Sequence, residues 1–229
     1  MEMKTKNILL VTFISVALFS EGCKTWNKSQ KGAVIGTAGG AVIGGVIGKA
    51  TGNTVLGVII GATVGGVAGA VIGHKMDKQA EEIKNAIPDA KVVRVGEGIV
   101  IEFNNKILFG FDQSILSSEA KTNLKKLELI LEKYPDTNIE VQGHTDSKGT
   151  AKYNLALSER RAMAVSSHLA SIGITTSRLT IHGFGEAAPK YENTTEDGRS
   201  QNRRVEFLVT ANEKMKADAA KEAAKNGTN

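Results

Sequence analysis

The stretch from Gly143 to Arg161, GHTDSKGTAKYNLALSERR, carries the side chains with the clearest chemistry in this 229-residue chain. Asp146 supplies a carboxylate, and Arg161 supplies a planar guanidinium that can donate two parallel hydrogen bonds. A carboxylate binds an ammonium and a guanidinium binds a carboxylate, so the pair suits a zwitterionic ligand. The residues alone leave two simpler readings open, because Asp146 can also cap the following helix or pair with Arg161 itself.

The elements that position these side chains are a strand, a turn and a helix. Residues 139–142, IEVQ, alternate apolar and polar side chains and predict a half-buried strand, and Gly143 lets the backbone turn sharply at its end. Apolar residues at helical spacing then predict a helix, namely Leu155, Ala162, Val165 and Leu169. This arrangement places Asp146 at the exit of the strand and Arg161 within the helix.

The neighbouring segments predict the rest of an α+β domain. VVRVGEGIVIEF indicates two short strands around Gly96 and Gly98, which form a hairpin. SSEAKTNLKKLELILEKYP indicates a helix that begins at Ser117 or Ser118 and ends before Pro135. A final strand follows in GRSQNRRVEFLVT, so strands and helices alternate to the end of the domain.

Three motifs in this order resemble the OmpA C-terminal domain family, which includes peptidoglycan-associated lipoprotein and the flagellar stator protein MotB. They are GHTDSKGTAKYNLALSERRA, LTIHGFGEAAP and GRSQNRRVEFLV. Several ordered motifs at consistent separations are more specific than one short pattern. The resemblance covers about half of the chain. It implies a βαβαβ sandwich of a mixed sheet and helices over residues 91–211, and it implies non-covalent binding of the peptidoglycan stem peptide.

The resemblance also implies roles for individual residues. Asp146 and Arg161 match the aspartate and arginine that grip diaminopimelate, an amino acid whose side chain ends in an ammonium and a carboxylate. Further residues are implied at or near the pocket: Asn154, Arg203, Thr145 and Asp112. Arg203 is the first arginine of the NRR motif and is favoured by the resemblance. The alternative stays open that Arg204 is the ligand arginine, or that it pairs structurally with an acid such as Glu159.

The sequence predicts a binding protein that is not an enzyme and uses neither a metal nor a cofactor. Its four histidines lack metal-ligand spacing, and no nucleophile lies in a known elbow motif. His144, close to Asp146, is expected to be a surface or packing residue. The net charge of +5 is dispersed and aromatic residues are few, so nucleic acid is not a predicted partner. The positive surplus suits anionic glycan and lipid head groups.

The N-terminal residues predict a lipid anchor. Residues 1–22 have a lysine-bearing start and an apolar stretch of about 12 residues, which is short for a membrane span and typical of a signal peptide. Cys23 is the only cysteine and follows SEG, which resembles a bacterial lipobox, although Ser20 stands where leucine is expected. Acylation of Cys23 makes residues 23–31 a lipidated linker. By resemblance, the protein lies at the periplasmic face of the outer membrane.

Glycines recur at every fourth position between the predicted anchor and the domain. They are Gly32, Gly36, Gly40, Gly44 and Gly48 in one run, and Gly57, Gly61, Gly65, Gly69 and Gly73 in the next. Small residues at this spacing let two helices approach closely, so residues 32–73 predict a glycine-zipper helical hairpin able to contact membrane lipid and to form homo-oligomers. Residues 74–90 are then expected to form a linker helix, and residues 212–229 a flexible tail.

Three functions compete on these observations. The first is an outer-membrane lipoprotein that binds the diaminopimelate of the stem peptide and tethers the outer membrane to the cell wall. The second is an oligomeric membrane scaffold or channel, built by the glycine zipper and anchored to the wall. The third is an ion-driven stator like MotB, which is disfavoured because neither glycine run contains the intramembrane carboxylate that such a motor needs.

Overall fold

The computed structural model describes residues 64, 66–110 and 113–226. The described helices are α1 (Gly66–Ala86), α2 (Asn105–Leu108), α3 (Ser118–Lys133), α4 (Ala151–Ser171), α5 (Glu196–Asn202) and α6 (Glu213–Asn226). The described strands are β1 (Lys91–Val95), β2 (Gly98–Asn104), β3 (Thr137–His144), β4 (Leu179–Gly185) and β5 (Arg204–Ala211). A short 3₁₀ turn, Thr176–Arg178, precedes β4. Cys23 and most of the glycine-zipper prediction lie outside the described residues.

The five strands form one mixed sheet in the order β1-β2-β5-β3-β4. Strands β3 and β4 are parallel, and every other neighbouring pair is antiparallel. Strand β5 enters between β2 and β3, so the last strand lies at the centre of the sheet. The predicted α+β fold with a mixed sheet is confirmed, as is the β1–β2 hairpin.

Alternation along the strands separates the sheet into two faces. In β5, Val205, Phe207 and Val209 are fully buried on one face, and they share a single core with apolar side chains from the helices. These include Ile72 of α1, Leu124 of α3 and Val165 of α4. The intervening residues of β5, Arg204 and Glu206, are also buried and lie on the opposite face. The core is therefore a layer of helices packed on one face of the sheet.

Helix α1 differs from the predicted linker helix in its bounds and in its packing. It begins at Gly66, inside the second glycine run, and continues to Ala86 without a break at residue 74. Ile72, Met76 and Ile83 have no exposed surface and belong to the domain core. Because burial of each such side chain contributes about 1.5–3 kcal/mol, α1 is a structural part of the domain and not a spacer before it.

The β1–β2 hairpin contacts the first half of α1. The Glu97 carboxylate accepts a hydrogen bond from the Val64 amide at 3.1 Å. Arg94 donates to Asp77 at 2.8 Å and to the carbonyl oxygens of Gly73, at 3.4 Å, and of Gly98. These contacts fix the start of α1 against the sheet. Within the described residues, no helix is long and apolar enough to cross a bilayer.

The predicted flexible tail is wrong for residues 213–226, which form helix α6. Met215 and Ala219 are buried in the same core as α1. The Asn212 side chain accepts a hydrogen bond from the Met215 amide at 2.9 Å, and Lys214 pairs with Asp136 at 2.8 Å. An alanine- and lysine-rich segment is disordered when it has no apolar side chains to bury in a core. In this segment Met215 and Ala219 are buried, so the helix is held on the domain.

Helix α3 begins as its sequence predicts. The Ser117 hydroxyl accepts a hydrogen bond from the Ala120 amide at 2.9 Å and caps the helix, which ends at Lys133, before Pro135. Ser117 also donates to the Ile107 carbonyl oxygen at 2.8 Å. This second bond ties the start of α3 to α2, which borders the candidate site described below.

Helix α4 is present as predicted, but its buried face differs in its second turn. Leu155 is 44% exposed, whereas Leu157 is buried. Ala162, Val165 and Leu169 are buried as expected. The polar residues Asn154, Ser158 and Arg161 share the buried side of the helix, since the first half of α4 faces a polar cleft and the sheet edge while the second half faces the apolar core.

Gly143 has a different role from the predicted turn. It lies inside β3 and pairs with Val205 of β5 and Gly183 of β4. A Cβ atom added at Gly143 would lie 2.1 Å from the carbonyl oxygen of Ser158 in α4. The glycine is therefore required by the close approach of the helix to the strand, not by a change of chain direction.

His144, at the end of β3, is a buried packing residue. Its ring is 1% exposed and stacks on Phe184 of β4, with ring centroids 5.1 Å apart. Burial is the main cause that lowers the pKa of His144 from 6.5 to about 3. Neighbouring Arg204 and Lys190 lower the pKa further, and Glu206 opposes them.

We expect His144 to make the stability of the domain dependent on pH. Its native pKa is depressed, so below about pH 6.5 the unfolded chain binds a proton that the folded chain excludes. The contribution is complete above pH 6.5 and is lost as the pH falls toward 3. Between pH 7 and pH 5 the free energy of unfolding should fall by about 2 kcal/mol from this residue alone. Urea unfolding at both pH values measures this loss, and a His144→Phe variant with an unchanged pH dependence would contradict it.

Candidate binding site

A cleft of about 600 Å³ opens beside the end of β3. Its walls come from α2 and the residues after it, from the loop between β3 and α4, from the first turns of α4, and from the junction of α5 with β5. Five of the six residues implied by the sequence line this cleft, namely Thr145, Asp146, Asn154, Arg161 and Arg203. The sixth, Asp112, lies outside the described residues.

Asp146 is 7% exposed and is held by the backbone that follows it. One carboxylate oxygen accepts a hydrogen bond from the Lys148 amide at 3.0 Å, and the other accepts from Nη1 of Arg203 at 2.5 Å. The Thr145 hydroxyl donates to the carbonyl oxygen of Asp146 at 2.9 Å. Helix α4 is capped by Thr150, whose hydroxyl accepts from the Tyr153 amide, so the alternative in which Asp146 caps this helix is wrong.

Asn154 braces the loop that carries Asp146. Its side-chain amide donates to the carbonyl oxygens of Asp146, at 3.3 Å, and Lys148, at 3.1 Å. It also donates to Glu186 at 2.5 Å. Asn154 is 1% exposed, so these bonds satisfy a buried polar group while fixing the loop. The amide therefore holds the acid in position at the edge of the cleft.

Arg161 is 4% exposed and presents its guanidinium to the cleft from the third turn of α4. Its Nε donates to the carbonyl oxygen of Gln113 at 2.9 Å, and its Cζ lies 5.5 Å from the centroid of the Phe109 ring. With the amide of Asn105 oriented oxygen-inward, that oxygen accepts from Nη1 at 2.7 Å and from Nη2 at 3.1 Å. These contacts hold the guanidinium plane in one orientation.

The two consecutive arginines after α5 point to opposite environments. Arg203 is in the cleft, where Nη1 contacts Asp146 and Nη2 contacts Glu196 at 2.8 Å. Arg204 is 1% exposed on the other face of the sheet, and its Nε pairs with Glu206 at 2.6 Å. Arg204 is thus the structural arginine, and its acidic partner is Glu206 and not the Glu159 suggested by the sequence.

Glu196 adds a second carboxylate to the cleft. Hydrogen bonds from Arg203 are the largest cause, and those from Arg199 the next, that lower the pKa of Glu196 to about 2. Its carboxylate is therefore ionised at neutral pH. Arg203 bridges this acid and Asp146, and so links the start of α5 to the loop after β3.

Sequence reasoning missed several residues of the cleft, above all Asn105, Phe109, Lys148 and Glu196. Asn105 also donates its backbone amide to the carbonyl oxygen of Arg203 at 2.9 Å, so one residue contacts both cleft arginines. The only local feature of the sequence that could have indicated these residues was Asn104. Its side chain caps α2, and the helix begins at Asn105. In the described part of the chain, no cluster of histidine, cysteine and acidic residues has the geometry of a metal site.

The described residues therefore form an α+β domain in which carboxylates and guanidinium groups share one cleft. An OmpA family model matches residues 108–203, and a YMGG-like Gly-zipper model matches residues 3–77. The outer-membrane lipoprotein YfiB of Pseudomonas aeruginosa is 34% identical over 115 residues, which are 50% of this chain and 68% of that protein. The chain belongs to the OmpA family.

Two other relatives match about half of this chain. The peptidoglycan-associated lipoprotein of Brucella melitensis is 35% identical over 48% of this chain and 65% of its own length. Outer membrane porin F of Pseudomonas fluorescens is 44% identical over 54% of this chain, which spans only 36% of the porin. The chain thus covers less than two thirds of both proteins.

Solved structures show the same fold. A putative MotB-like protein from Desulfovibrio vulgaris superposes with a TM-score of 0.57 at 24% identity, over 61% of this chain and 93% of the other. The cell wall anchor of the T6SS from Pseudomonas aeruginosa has a TM-score of 0.52 at 28% identity, over 59% of this chain and 96% of the other. The five-stranded sheet with its helices is thus the shared architecture.

Proposed function

We propose that this chain is an outer-membrane lipoprotein that binds peptidoglycan without a covalent bond and tethers the outer membrane to the cell wall. It is a structural binder and not an enzyme. Its ligand is the diaminopimelate of the stem peptide, held by Asp146 and Arg161. Asn154, Arg203 and Thr145 support that pair, and Asp112 is proposed to lie close by.

The observation that carries this proposal is the placement of a buried carboxylate and a buried guanidinium on one cleft. Asp146 and Arg161 are 7% and 4% exposed, and each is oriented by neighbours other than a ligand. A charge-assisted hydrogen bond contributes about 1.5–3 kcal/mol when its partners are already oriented. The free end of diaminopimelate offers an ammonium for the acid and a carboxylate for the guanidinium.

Arg203 supports binding because it pairs with the carboxylate of Asp146 while no ligand is bound. The pair is 2.5 Å apart, and Arg203 keeps a second partner in Glu196. When a ligand ammonium reaches Asp146, Glu196 can retain Arg203. The exchange leaves no buried charge without a partner, which would otherwise cost several kcal/mol.

Placement at the outer membrane is supported by the relatives and by the N-terminal residues. YfiB is described as an outer-membrane lipoprotein, and the Brucella relative as a peptidoglycan-associated lipoprotein. Acyl chains on Cys23 would hold the mature protein in the membrane, since each buried methylene contributes about 0.8 kcal/mol. The cleft is then carried at the periplasmic face, where peptidoglycan lies.

Co-sedimentation of the full-length protein with purified sacculi tests the proposal. The Asp146→Ala/Arg161→Ala variant should remain in the supernatant, because the two charged anchors are lost together. The matched control is Asp89→Ala/Arg160→Ala, which removes one acid and one arginine from exposed positions away from the cleft. A folded cleft variant that sediments as fully as the control would refute the proposal.

A second function, assembly of a membrane scaffold or channel, is favoured by the match of residues 3–77 to a Gly-zipper model. Glycines at every fourth position allow close helix packing in a bilayer. Chemical cross-linking of the membrane-bound protein should then give discrete homo-oligomers. A protein that remains monomeric under these conditions would exclude zipper-driven assembly.

A further inference from the structure

The cleft carries more positive charge than diaminopimelate can balance. Four cationic side chains line it, against the two carboxylates of Asp146 and Glu196; the cations are Lys106, Lys148, Arg161 and Arg203. The described lining residues therefore carry a formal charge of +2, and one further acid, such as Asp112 in the proposed position, would still leave a net positive charge. The free end of diaminopimelate brings one ammonium and one carboxylate, so its binding leaves this surplus unchanged.

The surplus is concentrated on the two lysines. Glu196 is the acid next to Lys148, at 3.5 Å, but it is shared with Arg199 and Arg203, each at 2.8 Å. Lys106 is exposed at the start of α2. None of the ion pairs among the described residues includes Lys106. Both lysines thus have capacity for a further anion.

The cleft is also larger than the end of one amino acid requires. At about 600 Å³ it lies in the range of roughly 300–1,000 Å³ that holds ligands of drug size. Tyr153, on the first turn of α4, extends the wall and is 44% exposed. A cleft of this size can hold a peptide segment that continues beyond diaminopimelate.

We propose that Lys106 and Lys148 form a second subsite, which binds the α-carboxylate of the D-glutamyl residue in the stem peptide. This inference rests on the proposed function. The glutamyl residue directly precedes diaminopimelate and is joined through its γ-carboxyl group, so its α-carboxylate is free and within one residue of the first subsite. With the two lysines, the cleft recognises two consecutive residues of the stem peptide and not diaminopimelate alone.

The expected contribution is modest and depends on salt. The Lys148 side chain is 67% exposed, and exposed ion pairs change an equilibrium by about two- to fivefold each. Screening by about 0.5 M salt should remove most of this effect. The contacts of the buried anchors Asp146 and Arg161 are screened much less.

The test is calorimetric titration of the full-length protein with three probes. They are free meso-diaminopimelate, the tripeptide L-Ala-γ-D-Glu-meso-diaminopimelate, and the same tripeptide with the glutamyl α-carboxylate converted to a carboxamide. The native protein should bind the carboxylate tripeptide about fivefold more tightly than the carboxamide. In a Lys106→Gln/Lys148→Gln variant that preference should vanish, while affinity for free diaminopimelate stays the same. Lys84→Gln/Lys126→Gln is the matched control, since it removes two exposed lysines outside the cleft and should keep the preference.

The outcomes separate this inference from the proposed function. If both tripeptides bind equally to the native protein, or if the preference persists in the Lys106→Gln/Lys148→Gln variant, the second subsite is refuted while diaminopimelate binding stands. If the native protein binds none of the three probes, the proposed function fails, and the second subsite fails with it.

Discussion

Replacing Arg161 with lysine is expected to weaken binding of a diaminopimelate stem peptide about tenfold or more, although the positive charge is kept. A guanidinium holds a carboxylate through two parallel hydrogen bonds, whereas an ammonium acts as a point charge without that geometry. Arg161 is buried, and its plane is fixed by Gln113, Asn105 and Phe109. Lysine cannot reproduce those contacts. Titration calorimetry with the tripeptide measures the change.

Arg160→Lys is the matched control for this experiment. Arg160 precedes Arg161 on the same helix but is exposed and does not line the cleft. Thermal unfolding of both variants separates a loss of binding from a loss of folding. Equal affinity of the folded Arg161→Lys variant and the control would show that Arg161 does not hold the ligand carboxylate.

Replacing Gly143 with alanine is expected to destabilise the domain by about 1–3 kcal/mol or more. The added methyl group would lie 2.1 Å from the carbonyl oxygen of Ser158 and 2.8 Å from its carbonyl carbon. Both are backbone atoms of α4, so relief requires the helix to move away from β3. Such a movement would displace Arg161 from Asp146 as well. Urea unfolding measures the stability, and ligand titration measures the accompanying loss of affinity.

The matched control is Gly73→Ala, which we expect not to destabilise the domain. Gly73 lies within α1, and the nearest atom to an added Cβ is Nη2 of Arg94, at 3.9 Å. Alanine is more favourable than glycine inside a helix by about 1 kcal/mol, so this variant should be as stable as the native protein or more stable. A Gly143→Ala variant as stable as Gly73→Ala would contradict the close approach of α4 to β3.

The sequence predicted best those features that depend on local pattern. The hairpin around Gly96, the Ser117 cap and the alternating strand β5 follow from turn chemistry and from periodicity, and all three are present. The α+β class followed from the ordered motifs. Each of these features needs only neighbouring residues to specify it.

Features set by tertiary packing were not predictable in the same way. The sequence of α1 did not show that Ile72 and Met76 are buried in the domain core. An amphipathic pattern predicts that one face of a helix is buried, but it does not identify the element that packs against that face. The same holds for α6, where Met215 and Ala219 are buried in the same core as α1. Gly143 resembled a turn residue, since only the helix packed against it reveals the close approach.

The candidate site shows the same division. The resemblance gave five of the residues that line the cleft, but the residues alone suggested that Asp146 caps a helix or pairs with Arg161. The ion pair of Asp146 with Arg203 joins residues 57 positions apart, and no spacing rule relates them. Asn105 contacts both cleft arginines from a third segment of the chain. Its role depends on the pairing of β2 with β5, which brings the ends of those strands together.

The central claim is that the cleft recognises the zwitterionic end of diaminopimelate. The most direct measurement compares two stem tripeptides on the full-length protein, one with meso-diaminopimelate at its third position and one with L-lysine, by titration calorimetry. Lysine keeps the terminal ammonium but lacks the carboxylate that Arg161 would bind. We expect the diaminopimelate peptide to bind at least about tenfold more tightly, as the loss of a charge-assisted hydrogen bond requires. Equal affinity for the two peptides would contradict the account.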